Sequence, residues 1–146
     1  MNVRPSVVIF HKGHILTMRY SYSGQNVYGL PGGNPDPNES LMQTLRRELQ
    51  EEMNVDIEVG GLIVCAEMHW PEIKKDTLHM VFEAEIISGL PTLNVQETTC
   101  EDLVWLPLQG LSEHILYPNI TNEILEKYTG ITYPIYREVM DQPYLT

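Results

Sequence analysis

Short apolar runs alternate along the chain with clusters of Gly, Pro, Asn and Asp, and one stretch sustains an apolar period of four. Ser6–Phe10 is apolar and β-branched and predicts a strand. His14–Tyr22 predicts a second, joined to it by a turn at Lys12-Gly13. Tyr28–Pro31 is a short apolar run leading into Gly32-Gly33, and the Asn34-Pro35-Asp36-Pro37-Asn38 segment that follows is dense in turn residues. Leu41, Leu45, Leu49 and Met53 recur every four residues, so Ser40–Met53 predicts a helix with one apolar stripe. Asn38 is placed to cap its start, Glu39 sits beside the first turn, and Asn54 falls where a left-handed C-cap belongs. Strand patterns return at Ile57–Trp70, Thr77–Ser88 and Asp102–Leu106, the middle one turning Met80, Phe82, Ala84 and Ile86 to one side. Gly89–Thr99 reads as a loop, and Gly110–Leu116 and Thr121–Tyr128 as short helices. The tail Thr132–Thr146 carries Tyr133, Tyr136 and Tyr144 and suits either an arm packed on its own core or an extension to a partner. The class is α+β with a mostly β core.

Length and charge narrow what such a chain does. The 146 residues suit one domain, 1–146, able to bury a core without staples. Twenty acidic against nine basic residues give a formal net charge of −11. Holding nucleic acid by its phosphates requires clustered Lys and Arg, and an anionic membrane surface requires the same, so neither partner is expected. Cys65 and Cys100 are too few for a disulfide framework and lack metal-ligand spacing, which predicts two free thiols in the cytoplasm. The apolar run Val7–Phe10 is too short for the core of a signal peptide, and nothing approaches the ~18 apolar residues of a membrane span.

The predicted helix carries the chemistry. Glu48, Glu51 and Glu52 stand at i, i+3 and i+4, so all three project from one side of the helix at the border of its apolar stripe. No lysine follows at i+4 to relieve them, and like charges at this spacing cost ~0.2–0.5 kcal/mol per pair. A divalent cation supplies the missing partner, since carboxylate oxygens are the ligands that Mg²⁺, Mn²⁺ and Ca²⁺ prefer. A solvated acidic face is the alternative these three residues leave open.

The surroundings of the three carboxylates form a longer pattern. Gly33 is followed after five residues by Glu39 and after seven more by Arg47-Glu48-Leu49-Gln50-Glu51-Glu52-Met53-Asn54-Val55. This resembles the Nudix box, G-x5-E-x7-R-E-U-x-E-E-x-G-U with U a bulky aliphatic residue, the signature of the Nudix hydrolases. Asn54 replaces the last glycine and every other specified position matches. Asn tolerates the left-handed conformation next best after Gly, so the change touches the helix cap and leaves the ligands intact. Tyr28–Gly33 and Trp105-Leu106-Pro107-Leu108 also resemble common segments of the family.

The resemblance implies an α/β/α sandwich with a mixed β-sheet and one catalytic loop–helix–loop. It implies Mg²⁺- or Mn²⁺-dependent hydrolysis of a pyrophosphate bond in a nucleoside diphosphate derivative by water. Glu48, Glu51 and Glu52 would hold the metal, joined by the Gly33 carbonyl. Glu39 and Arg47 would form a structural ion pair. The general base would be Glu48 or Glu52 of the box or a loop acid, for which Glu97 stands ahead of Glu101. Arg19 and Tyr28 are candidates for contact with the substrate, and His69-Trp70 for stacking a base. A proline sixteen residues beyond the box marks members that cleave ADP-ribose, and Pro71 stands at that distance. ADP-ribose or another nucleotide sugar therefore ranks first and nucleoside triphosphates second, with a nucleotide sensor that does not turn over as the other class. Many such proteins are homodimers, which adds a second copy to the expected partners.

Overall fold

A computed structural model describes residues 1–140. Eleven helices and strands follow the order β1 (Asn2–Val8), β2 (Phe10–His11), β3 (His14–Tyr22), β4 (Gln25–Gly29), α1 (Leu41–Met53), β5 (Asp56–Trp70), β6 (Lys75–Ser88), β7 (Asp102–Pro107), β8 (Ile115–Tyr117), α2 (Thr121–Thr129) and β9 (Tyr136–Arg137). One sheet runs β1-β6-β5-β9, with β1 parallel to β6, β6 antiparallel to β5 and β9 parallel to β5. In the other, β3 pairs antiparallel with β2, β4 and β7, and β8 lies parallel to β4. This is the mixed-sheet α+β architecture expected.

The apolar pattern divides into two cores, one under each helix. Leu45, Leu49 and Met53 of α1 are fully buried with Leu16, Met18, Phe82 and Ala84. Ile124 of α2 packs with Ile15, Ile63, Val64 and Val81. Residues of both β3 and β6 enter both cores in alternation, because successive side chains of a strand point to opposite faces. The long β5 serves the two in succession. Its register shifts around Gly60-Gly61, with Ile57 on the α1 side of that irregularity and Ile63–Met68 largely on the α2 side.

Local differences from the sequence reading have identifiable causes. The cap of α1 is Ser40, whose hydroxyl accepts from Gln43 N–H at 3.1 Å while Gln43 Oε1 accepts from Ser40 N–H at 2.8 Å. That reciprocal pair satisfies two donors at once and outcompetes Asn38, which sits in a left-handed turn at φ 66°. Gly110–Leu116 is not a helix. It forms a 3-10 turn, Leu111–Glu113, and then the strand β8, whose apolar run is too short for its period to declare itself. The tail packs on its own sheet: Cys65 N–H donates to Ile135 O at 2.7 Å, Tyr133 Oη to Ile63 O at 3.0 Å, and Arg137 to Glu123 at 2.8 Å. Tyr144 lies outside the described residues. Both cysteines are free. Among the described residues no helix is long and apolar enough to cross a membrane.

Asn54 occupies the left-handed cap predicted for it, at φ 60° and ψ 37°. Its amide also donates to Thr92 O at 2.9 Å, which ties the end of α1 to the following loop. Asn54→Ala keeps the strained conformation and loses that bond. It is expected to cost about 1–2 kcal/mol in denaturant unfolding while turnover per folded molecule stays unchanged.

His79 is fully buried on β6, edge-on to the Tyr117 ring at 5.1 Å, with neither ring nitrogen hydrogen-bonded. Burial first, then the charges of Arg4 and Lys75, hold its pKa down to about 3. The unfolded chain protonates this imidazole near pH 6.5 and the folded chain does not, so its stability contribution is complete above pH ~6.5 and is lost as pH falls toward 3. Wild type should lose up to about 1.4 kcal/mol per unit between pH ~6.5 and ~5, above the carboxylate range. His79→Phe keeps the edge-on ring contact and should flatten that slope in urea titrations at each pH.

Candidate active site

The segment before α1 runs against the edge of β1. Val7 N–H donates to Pro31 O at 2.9 Å and Gly33 N–H to Pro5 O at 3.2 Å. A Cβ on Gly32 would overlap the backbone of Pro5 and Ser6, and one on Gly33 would overlap the Glu48 carboxylate. Gly32 is therefore required for space, whereas a side chain at Gly33 would push the Glu48 carboxylate aside. Their close approach lays the Gly33 backbone directly against Glu48.

Arg47 is the hub of the site. Its Nε donates to Glu39 Oε2 at 2.8 Å and its Nη2 to Glu39 Oε1 at 3.0 Å, a two-pronged contact that only a guanidinium makes. Its Nη1 reaches Glu48 at 3.0 Å and Glu51 at 3.2 Å. Glu39 also accepts from Asp36 N–H at 3.0 Å and Thr44 Oγ1 at 2.7 Å. Arg47, followed by the Asp36 N–H, holds the Glu39 carboxyl down to about 2. The partner for the helix carboxylates that was sought at i+4 after them thus lies one residue before them.

Glu52 is the exception. It is only 7% exposed, and its Oε1 is buried with no hydrogen-bond partner. Its carboxyl faces that of Glu48 closely enough to share a hydrogen bond, and burial first, then the Glu48 charge, pushes its pKa up to about 8. Two facing carboxyls with an orphaned buried oxygen, all oxygen donors, fit a hard divalent cation in identity and in spacing along the helix. As the side chains stand, no three acidic, thiol or imidazole groups among the described residues are set to hold a metal ion together. Arg47 draws Glu48 and Glu51 to itself, so an ion would have to take them from it.

The loop after β6 closes over this end of α1. Thr92 N–H donates to Met53 O at 3.0 Å, Asn94 N–H to Glu52 O at 2.8 Å, and the Asn94 amide to Glu51 O at 3.0 Å. These bonds satisfy carbonyls that the last helical turn leaves open. Thr98 of the same loop reaches both Tyr20 and Glu52. Of the two loop acids, Glu101 pairs with Arg19 at 3.6 Å, whereas Glu97 is exposed, its N–H turned to Asn94 O at 3.0 Å.

Strand parity redistributes the other candidates. Leu16, Met18 and Tyr20 of β3 pack on the α1 side, so Thr17 and Arg19 face the other way. Tyr28 pairs directly across from Arg19, packs on the α2 core and lies edge-on to His114 at 5.1 Å. The structure therefore brings neither Arg19 nor Tyr28 to the helix carboxylates, and Tyr20 stands on the face expected for them. His69 lies far along β5 between Asp76 and Glu67, 3.0 Å from each, and those carboxylates raise its pKa, Asp76 most. Arg4, Tyr20, Asn94 and Thr98 were not singled out by sequence. They reach the site through strand pairing and loop closure, which leave no local spacing to read.

The model of the NUDIX domain matches residues 2–128 of this chain. The chain is 27% identical to Nudix hydrolase 2 of Arabidopsis thaliana over 83% of its own length and 43% of the relative's, so it spans less than half of that protein. A NUDIX hydrolase from Nitrosomonas europaea superposes with a TM-score of 0.73 at 20% identity, covering 92% of this chain and 93% of that one. An ADP-ribose pyrophosphatase from Streptococcus suis superposes with a TM-score of 0.64 at 17% identity, covering 96% and 98%. At these identities the two structures show the fold alone.

Proposed function

Because the chain belongs to the Nudix family, we propose that it hydrolyses a pyrophosphate bond in a nucleoside diphosphate derivative, using a divalent cation held by Glu48, Glu51 and Glu52. The observation that carries this reading is the buried Glu52 carboxyl, facing Glu48 with one oxygen unpartnered. A purely structural acid would not be kept in that position, since burying an unpaired carboxyl is destabilising. The same observation disfavours a nucleotide sensor, which gains nothing from a buried carboxyl left unpaired.

Mg²⁺ or Mn²⁺, when bound, screens the diphosphate charge, polarises the phosphorus–oxygen bond and lowers the pKa of a coordinated water. The residues of the chain do the rest. Glu48, Glu51 and Glu52 hold the ion, with the Gly33 carbonyl as a further oxygen beside Glu48. Glu39 fixes Arg47, and Arg47 positions Glu48 and Glu51. Glu52 Oε1 is the first candidate to accept the proton of the attacking water, and Glu97 the second. Nucleotide sugars, the class that includes ADP-ribose, are the first substrates to test; the proline at position 71 and the ADP-ribose pyrophosphatase with this fold both favour them. Nucleoside triphosphates come second.

The test is incubation with nucleotide sugars, dinucleotides and nucleoside triphosphates, with and without Mg²⁺, followed by measurement of nucleoside monophosphate, phosphate and pyrophosphate. Mg²⁺-dependent release of a monophosphate supports the reading, and no turnover of any compound contradicts it. Glu97→Ala and Glu101→Ala separate the loop acids. The Glu97 variant is expected to lose about tenfold or more in kcat if it is the base, and the Glu101 variant to stay near wild type.

A further inference from the structure

The loop between β6 and β7 is pinned at both ends, and between the pins it turns one hydroxyl inward. On the α1 side, Asn94 N–H donates to Glu52 O at 2.8 Å and the Asn94 amide to Glu51 O at 3.0 Å, so the loop is bonded to the backbone of two of the helix acids. On the β3 side, Glu101 N–H donates to Arg19 O at 2.8 Å. Val95, Gln96, Glu97 and Thr99 are exposed between these pins, whereas Thr98 is half-buried. Thr98 Oγ1 accepts from Cys100 N–H at 3.1 Å, which fixes the hydroxyl in place. The same hydroxyl is hydrogen-bonded to the Glu52 carboxyl and to the Tyr20 phenol.

Donors and acceptors give these contacts a direction. A threonine hydroxyl has one proton and two lone pairs. Cys100 N–H fills one lone pair, and the Tyr20 phenol is a donor for the other. Glu52, once ionised, only accepts, so the Thr98 proton goes to it. Glu52 Oε1 has no partner, so this bond falls on Oε2 and leaves Oε1 open. Glu48 also touches the Glu52 carboxyl, but that contact needs a proton shared between two acids and is lost when both ionise to hold a cation. The bond from Thr98 comes from a neutral group and survives the ionisation. Ligating carboxylates are commonly held by such an outer partner, which fixes where their free lone pairs point.

We propose that Thr98 is a positioning residue: it holds Glu52 by one oxygen and so presents the other to the divalent cation, while Asn94 keeps the loop in place for it. This role rests on the hydrolase reading for its purpose, and it is measured apart from turnover, by Mn²⁺ binding read from the electron paramagnetic resonance of the free ion. Thr98→Val is nearly isosteric and lacks the hydroxyl; it should weaken Mn²⁺ binding by about tenfold, with circular dichroism showing the fold intact. Thr98→Ser keeps the hydroxyl and should bind within about threefold of wild type. Asn94→Ala leaves every carboxyl untouched and should weaken binding by about fivefold through the loosened loop. Both variants act through one bond, so the double variant should stay near the effect of Thr98→Val alone, whereas independent effects would multiply to about fiftyfold. Mn²⁺ bound by Thr98→Val as tightly as by wild type, Thr98→Ser as weak as Thr98→Val, effects that multiply, or no saturable binding by wild type overturns the proposal. The expected binding pattern with no turnover of any nucleotide would instead sink the hydrolase reading and leave the role of Thr98 standing.

Discussion

Glu52→Gln is expected to lower kcat by ~100-fold or more and leave the fold intact. The carboxyl is 7% exposed, carries an orphaned oxygen and faces Glu48. The amide is nearly isosteric, so the packing around Leu49 and Met53 is preserved. It neither takes a proton nor binds a hard cation as a carboxylate does. Stability should move in the opposite direction. The raised pKa of Glu52 means that the folded chain resists its ionisation, so the wild-type carboxyl costs stability as pH rises above the ~4.5 of the unfolded chain. Metal-free Glu52→Gln should therefore melt at or above the wild-type temperature at pH 8. Steady-state kinetics and thermal melts on the same preparation check both halves. A variant that keeps its activity, or loses it together with its fold, contradicts the assignment.

Arg47→Ala should act mainly on stability, and through it on the site. Four carboxylates lie around its guanidinium: Asp36 at 3.3 Å, Glu39 at 2.8 Å, Glu48 at 3.0 Å and Glu51 at 3.2 Å. Removing the only cation among them leaves Glu39, 14% exposed, without its charged partner. Solvent reaches both partners, Arg47 at 25% and Glu39 at 14% exposure, and screens part of the interaction. The loss should still appear as a lower Tm, because four carboxylates are left facing one another without a cation. Divalent ions should restore part of the loss, because Glu48 and Glu51 are then free to take the ion as their partner. Arg47→Lys should recover only a fraction, since an ammonium cannot bridge both Glu39 oxygens and still reach Glu48. Melts with and without Mg²⁺ check this. A variant as stable as wild type would show that the hub carries no weight.

The helix and its chemistry were legible because they are local. The four-residue period of Leu45, Leu49 and Met53, the spacing of Glu48, Glu51 and Glu52, and a left-handed residue at Asn54 all follow from one helical geometry. The loop after β6 was legible as a loop, whereas its closure over the end of α1 depends on backbone bonds from Thr92 and Asn94 that no local pattern announces. What escaped depended on tertiary phase. A strand seen alone does not declare which of its two faces meets the helix, so Arg19 and Tyr28 were chosen where Tyr20 packs on the α1 side. Arg4 stands far from the box in sequence and comes close to Glu52 because β1 pairs with β6 at the sheet edge. The Ser40–Gln43 capping box was present in the sequence and lay hidden behind a second plausible cap at Asn38. Arg47 was read as the partner of Glu39 alone, although a guanidinium also reaches the residue after it and the one four places on.

The central claim is that Glu48, Glu51 and Glu52 hold a divalent cation. Electron paramagnetic resonance of a Mn²⁺ titration tests it most directly, because bound Mn²⁺ drops out of the six-line spectrum of the free ion. Wild type should deplete the free signal to saturation, and Glu48→Gln and Glu52→Gln should each weaken that binding by about tenfold or more. A titration in which the free signal grows as it does in buffer, or in which both variants bind as tightly as wild type, would contradict it.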